Sequence, residues 1–79
     1  MIITKEKLEY LRGIYTPGTR VRLEYMDDIQ APPIGTSGTV KGVDDIGSIM
    51  VQWDNGSSLS VVYGHDRCKV LKENYYENS

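Results

Sequence analysis

The chain has 79 residues, 39% of them hydrophobic, and sets Lys+Arg 9 against Asp+Glu 11 for a formal net charge of −2. That length holds one small domain, and that charge gives no reason to expect nucleic acid or an anionic membrane as a partner. No apolar run is long enough to span a bilayer, no secretory signal is expected from the start MIITKEKLEYL, and the lone Cys68 excludes an internal disulfide or a cysteine-based zinc site. A reducing, cytoplasmic setting is the expectation, with compact β closure or self-association to support a small core.

In chain order, Thr4 is placed to cap a helix whose Leu8 and Leu11 fall at i, i+3, with Ile14 beyond and Gly13 positioned to end it. A helix of about ten residues is marginal alone in water, so this arm, residues 1–14, must dock on the body or on a partner. Tyr15-Thr16-Pro17-Gly18 is a turn signal. Period-2 alternation then puts Val21, Leu23 and Tyr25 on one face of a strand and Arg20, Arg22 and Glu24 on the other. Residues 26–35, with two aspartates and two prolines, read as a loop.

Thr39 to Val43 reads as a second strand, with Gly38 and Gly42 marking sharp bends. Asp44-Asp45-Ile46-Gly47 makes a hairpin turn into a third strand, where Ile49, Val51 and Trp53 alternate with Ser48, Met50 and Gln52. Asp54-Asn55-Gly56 contains Asn-Gly, a strong hairpin signal because both residues tolerate positive φ. A fourth strand alternates Leu59 and Val61 with Ser58, Ser60 and Val62, and Cys68 to Leu71 form a fifth. The predicted fold is mainly β: a small five-stranded SH3-like barrel over residues 15–72 with a short N-terminal helix, followed by a frayed tail, 73–79.

The stretch from Pro17 to Leu71 resembles a family of short bacterial and phage proteins of unknown function. Its pattern is PGTRVRL, an Asp- and Pro-rich loop, then GTxGTVxGVDDxGxIxVxWDNGSSL. More distantly, Gly18-Thr19-Arg20-Val21, Gly38-Thr39-Val40, Trp53-Asp54-Asn55-Gly56-Ser57 and Val61-Val62-Tyr63-Gly64 look like elements of the Mind-bomb/Herc-type domain. That likeness implies an SH3-like barrel that binds peptide segments; it implies no catalytic residue, and the first likeness implies a phage or mobile-element origin.

Each candidate residue has two readings. Trp53 is either a core anchor or, beside Tyr25 and Tyr63, part of an aromatic platform at the barrel mouth. Asp27 and Asp28 are either solvated loop residues or an acidic wall for a basic partner; neither they nor Asp44-Asp45 fit a calcium loop. Arg20, Arg22 and Lys41 are either a solvated strand face or a grip for one phosphate. His65 and Cys68 sit three apart but lack a third orienting group, so no catalytic pair is expected. Six tyrosines without one phenylalanine, including Tyr75 and Tyr76 in the tail, suit rims and contact surfaces, because tyrosine keeps one wet end.

Two functions follow as expectations. The first is a non-enzymatic module that docks a protein segment on the rim formed by Tyr25, Asp27, Asp28, Trp53, Tyr63, His65 and Asp66. The second is an oligomeric inhibitor of host defence that sequesters a nucleotide-type ligand, with Arg20, Arg22 and Lys41 on phosphate and a tyrosine on the base. Neither calls for a cofactor or metal, and an interior of this size is filled by side chains rather than by substrate.

Overall fold

The structure, a computed structural model, describes residues 3–72. Helix α1 covers Lys5–Ile14, and five strands follow: β1 Arg20–Tyr25, β2 Ser37–Val43, β3 Ser48–Trp53, β4 Val61–Val62 and β5 Arg67–Val70. Thr4 caps α1 as its sequence position predicts, its side chain accepting the Lys7 N–H at 3.1 Å. Glu6 in the first turn and Arg12 in the last complement the helix dipole. Gly13 does not end the helix: the last turn continues through Ile14, and the Tyr15 N–H closes it on the Leu11 carbonyl at 2.8 Å.

The five strands form one antiparallel sheet in the order β4-β3-β2-β1-β5. Alternation decides which side is buried. Val21, Leu23, Val40, Val51, Trp53 and Val61 turn inward and are almost wholly buried, with Ile49 and the helix residue Leu11 beside them. Burying Leu11 contributes about 1.5–3 kcal/mol, which is what a marginal helix needs to persist. The arm therefore docks on its own body. Arg12 secures it, donating from Nε and Nη2 to the Val43 carbonyl at 3.1 Å each and pairing with Asp45 at 2.8 Å.

The two hairpins that bracket β3 share one construction. Asp44 and Gly47 close the first, with the Gly47 N–H on the Asp44 carbonyl at 3.1 Å and the Asp44 N–H on the Ser48 carbonyl at 3.0 Å. Trp53, Gly56 and Ser57 repeat the pattern at 3.0 and 2.8 Å, with Gly47 at φ 86 and Gly56 at φ 96. This is a turn followed by a left-handed glycine bulge, so Gly56 alone has positive φ and Asn55 does not. Asp44 Oδ1 also accepts the Ile46 and Ser48 N–H groups, which makes it the cap of its turn.

Four strand expectations are corrected. β2 begins at Ser37, two residues before Thr39. Tyr25 leaves the inward face because a register shift against β5 falls between Leu23 and Tyr25; it is 45% exposed. The fourth strand contracts to Val61–Val62 because Leu59 is drawn out of the ladder, its carbonyl accepting the Trp53 indole N–H at 2.8 Å. The fifth begins one residue earlier, at Arg67. Residues 73–79, with Tyr75 and Tyr76, lie outside the described residues.

β4 and β5 end the hydrogen-bonded order on opposite sides, yet residues 63–66 join them and they pack against each other. The sheet therefore curls until its edges approach. At this seam side chains, rather than a strand ladder, hold the edges, and the candidate site lies there.

Candidate functional site

Asp66 bridges the seam. Its Oδ2 accepts the Val62 N–H at 2.9 Å and its Oδ1 accepts the Asp27 N–H at 3.0 Å, so one carboxylate joins β4 to the start of the loop after β1. The turn beneath it passes through Gly64 at φ 88 and puts the His65 and Asp66 N–H groups both on the Val62 carbonyl.

Two grooves flank this bridge. One, of about 330 Å³, is lined by Tyr25, Gly64, His65, Asp66 and Arg67. The other, of about 260 Å³, runs between α1 and the seam: Tyr10, Ile14 and Tyr15 form one wall, Tyr63, Arg67 and Cys68 the other, with Leu11, Ile49 and Val61 exposing a little of the core. Asp66 and Arg67 belong to both.

Cations lie over the tyrosines. The Lys7 Nζ sits 5.3 Å from the Tyr10 ring centre and 5.7 Å from that of Tyr63, linking the helix to the turn after β4. The Arg67 guanidinium lies 6.0 Å from the Tyr25 ring centre. Among the described residues neither Lys7 nor Arg67 has an ion-pair partner.

Burial pushes the Cys68 thiol up to about 11, against an opposing hydrogen bond from Tyr15. Burial likewise raises the Tyr15 phenol, and the neighbouring Cys68 adds to the rise. At neutral pH Cys68 is thus a protonated thiol rather than a nucleophilic thiolate. His65 and Cys68 line separate grooves. No group of three or more His, Cys, Asp or Glu side chains among the described residues is placed to hold a metal ion.

Of the residues predicted to meet a partner, Tyr25, Tyr63, His65 and Asp66 come together at the seam, and Asp27 joins them through its backbone. Asp28 lies further along the loop, its Oδ1 accepting the Gln30 N–H at 2.8 Å. Trp53 does not reach the rim. It is 1% exposed and anchors the core, because the alternation that starts at Ile49 carries it inward.

The predicted anion grip is also altered. Arg20 forms a two-pronged pair with Asp54 at 2.9 and 2.6 Å and reaches Thr39 at 3.0 Å, and this pairing lowers the Asp54 carboxyl pKa. Arg22 lies across from Lys69 on β5 and Ser37 on β2, while Lys41 is exposed.

Periodicity and motif reading missed Lys7, Tyr10, Tyr15 and Arg67. The available signal was the tyrosine-for-phenylalanine usage: Tyr10, Tyr15, Tyr25 and Tyr63 all line the two grooves.

Residues 4–71 match the model of a family described as a domain of unknown function, DUF4314, and the chain belongs to that family. No curated protein and no solved structure matches it.

Proposed function

We propose that this DUF4314 chain is a non-enzymatic docking module that receives an extended segment of another protein across the tyrosine-lined seam. The observation that carries the reading is the gathering of Tyr10, Tyr15, Tyr25 and Tyr63 around one bridge, Asp66. Tyrosine offers wide apolar contact at low entropic cost together with a hydroxyl that stays in water. The Lys7 and Arg67 cations hold ring faces in place and remain available to a carboxylate on the incoming segment. The curled sheet is consistent with an SH3-like barrel, in which rim aromatics take up extended peptides. A phage or mobile-element origin and a bacterial cytoplasm belong to the same reading.

A displayed random-peptide library tests it. Selected peptides, titrated onto isotope-labelled protein, are expected to shift the amide resonances of Tyr25, Tyr63 and Arg67 and to lose at least tenfold in affinity with Tyr63→Ala. Peptides that bind equally well to Tyr63→Ala and Tyr10→Ala, or that shift only residues remote from the seam, would overturn the reading. The nucleotide-sequestering alternative keeps only Arg22 and Lys41 without an ion pair among the described residues, since Arg20 is committed to Asp54.

A further inference from the structure

The loop between β1 and β2 presents two isoleucines to water. The Ala31 N–H closes a turn on the Asp28 carbonyl at 3.0 Å, with Ile29 at its first central position and fully exposed. The Thr36 N–H closes a second turn on the Pro33 carbonyl at 3.0 Å, with Ile34 at the equivalent position and 63% exposed. Turn tips ordinarily carry Asp, Asn, Ser or Gly, which serve the backbone there. An exposed isoleucine at both tips does nothing for the fold of one molecule.

The loop is also held in place. Met26 and Pro32 are buried, the Gly35 N–H donates to the Leu23 carbonyl at 2.8 Å, and the Leu23 N–H donates to the Thr36 carbonyl at 2.8 Å. A preordered apolar projection loses little entropy when it docks. The same loop begins at the groove, because the Asp27 N–H is bound to Asp66 and Tyr25 lines the groove wall.

A projection and a recess carried by one chain can pair reciprocally about a two-fold axis, each copy's projection entering the other's recess. The charges agree with that pairing. Asp27 and Asp28 on the loop and Arg67 at the groove have no ion-pair partners among the described residues, while the groove's own carboxylate, Asp66, is held by the Asp27 and Val62 N–H groups. In a facing pair of molecules the acidic loop of one would lie against Arg67 of the other.

We infer that the groove formed by Tyr25, His65 and Arg67 is occupied by a second copy of this chain, inserted through Ile29 and Ile34 in a reciprocal two-fold dimer. The inference rests on the reading of the seam as a docking site and names its resting occupant. A foreign segment then binds by displacing the second copy.

Sedimentation velocity of the full chain over a concentration series tests this. The wild type is expected to dimerise with rising concentration. Ile29→Asp with Ile34→Asp, and separately Arg67→Glu, are each expected to weaken the dimer at least tenfold while the circular dichroism spectrum stays that of the wild type. Mixing the two variants restores one of the two reciprocal contacts and is expected to yield a heterodimer. Combining Asp28→Arg with Arg67→Glu in one chain is expected to recover much of the lost association. A wild type that stays monomeric throughout, or a dimer indifferent to both sets of substitutions, overturns the inference. Selected peptides that bind the seam of such a monomer would leave the docking reading standing, whereas a dimer whose seam accepts no selected peptide would overturn that reading alone.

Discussion

Asp66 and Val62 bind each other twice: the Asp66 N–H donates to the Val62 carbonyl at 2.9 Å, and the Asp66 Oδ2 accepts the Val62 N–H at 2.9 Å. With Oδ1 on the Asp27 N–H, this one residue replaces the missing ladder at the seam. Asp66→Ala is expected to cost about 1–2 kcal/mol, since both backbone donors are solvent-exposed and regain water in part. Asp66→Asn retains one acceptor oxygen and should lose about half as much. Urea denaturation measures both, and amide exchange should show Val62 and Asp27 opening first; a full-strength Asp66→Ala would contradict the bridging role.

Gly38 and Gly13 should respond oppositely to alanine. A Cβ on Gly38 would lie 2.6 Å from Val51 Cγ1, 2.7 Å from Trp53 Cε3 and 2.9 Å from the Gln52 carbonyl oxygen. The last of these is backbone and cannot rotate away, so Gly38→Ala is expected to destabilise by about 1–3 kcal/mol. Gly13 has nothing within 4 Å of a built Cβ and lies in α1, so Gly13→Ala should stabilise by about 0.5–1 kcal/mol. Thermal unfolding of the two variants provides the comparison.

Trp53 serves the core and the β3–β4 connection together. Trp53→Phe removes the indole donor from the Leu59 carbonyl and leaves a gap beside Val51 and Gly38. The expected loss is about 1–3 kcal/mol, and Trp53→Ala should lose about 3–5 kcal/mol. Chemical denaturation followed by circular dichroism checks this without relying on the fluorescence the substitution removes. A loss below about 0.5 kcal/mol for Trp53→Phe would contradict the anchoring role.

The Cys68 thiol gives a pH signature at the alkaline end. Its value in the folded chain is about 11 against an ordinary 9.0, so between those values the unfolded chain releases its proton first. The unfolded state then binds fewer protons than the native state, and stability falls as pH rises from about 9 towards about 11. The raised Tyr15 phenol acts in the same direction. Cys68→Ser should flatten part of this decline. Alkylation by iodoacetamide at pH 8 should be much slower than for a free thiol, and it should accelerate on addition of denaturant.

The inward set Val21, Leu23, Ile49, Val51 and Trp53 was legible because alternation over short runs is a direct imprint of the pleat. Tyr25 was misplaced by the same rule, since a register shift reverses every face beyond it and leaves no mark on residue spacing. The Arg20–Asp54 pair was hidden for another reason: its partners are 34 residues apart and meet only after β2 and β3 have been laid beside β1. Helical spacing singles out Leu8 and Leu11 and says nothing of Lys7, which only the docking of Leu11 brings over Tyr63. Tyrosine usage raises the expectation of a contact surface but does not say where the rings gather.

The paired construction of the turns around β3 has a consequence for how this chain tolerates change in length. Gly47 and Gly56 fix the two ends of the strand by the same bulge, and Trp53 ties its far end to Leu59 as well. A one-residue insertion or deletion within β3 therefore has no slack to enter: it would turn Trp53 to solvent or break one of the two closures. The loop after β1 closes its own turn from Asp28 to Ala31 and joins β1 at Gly35 and Thr36, so variation in chain length is expected to collect ahead of that junction. β3 serves as the gauge of the domain, and the adjustable reach belongs to the loop that carries Ile29 and Ile34.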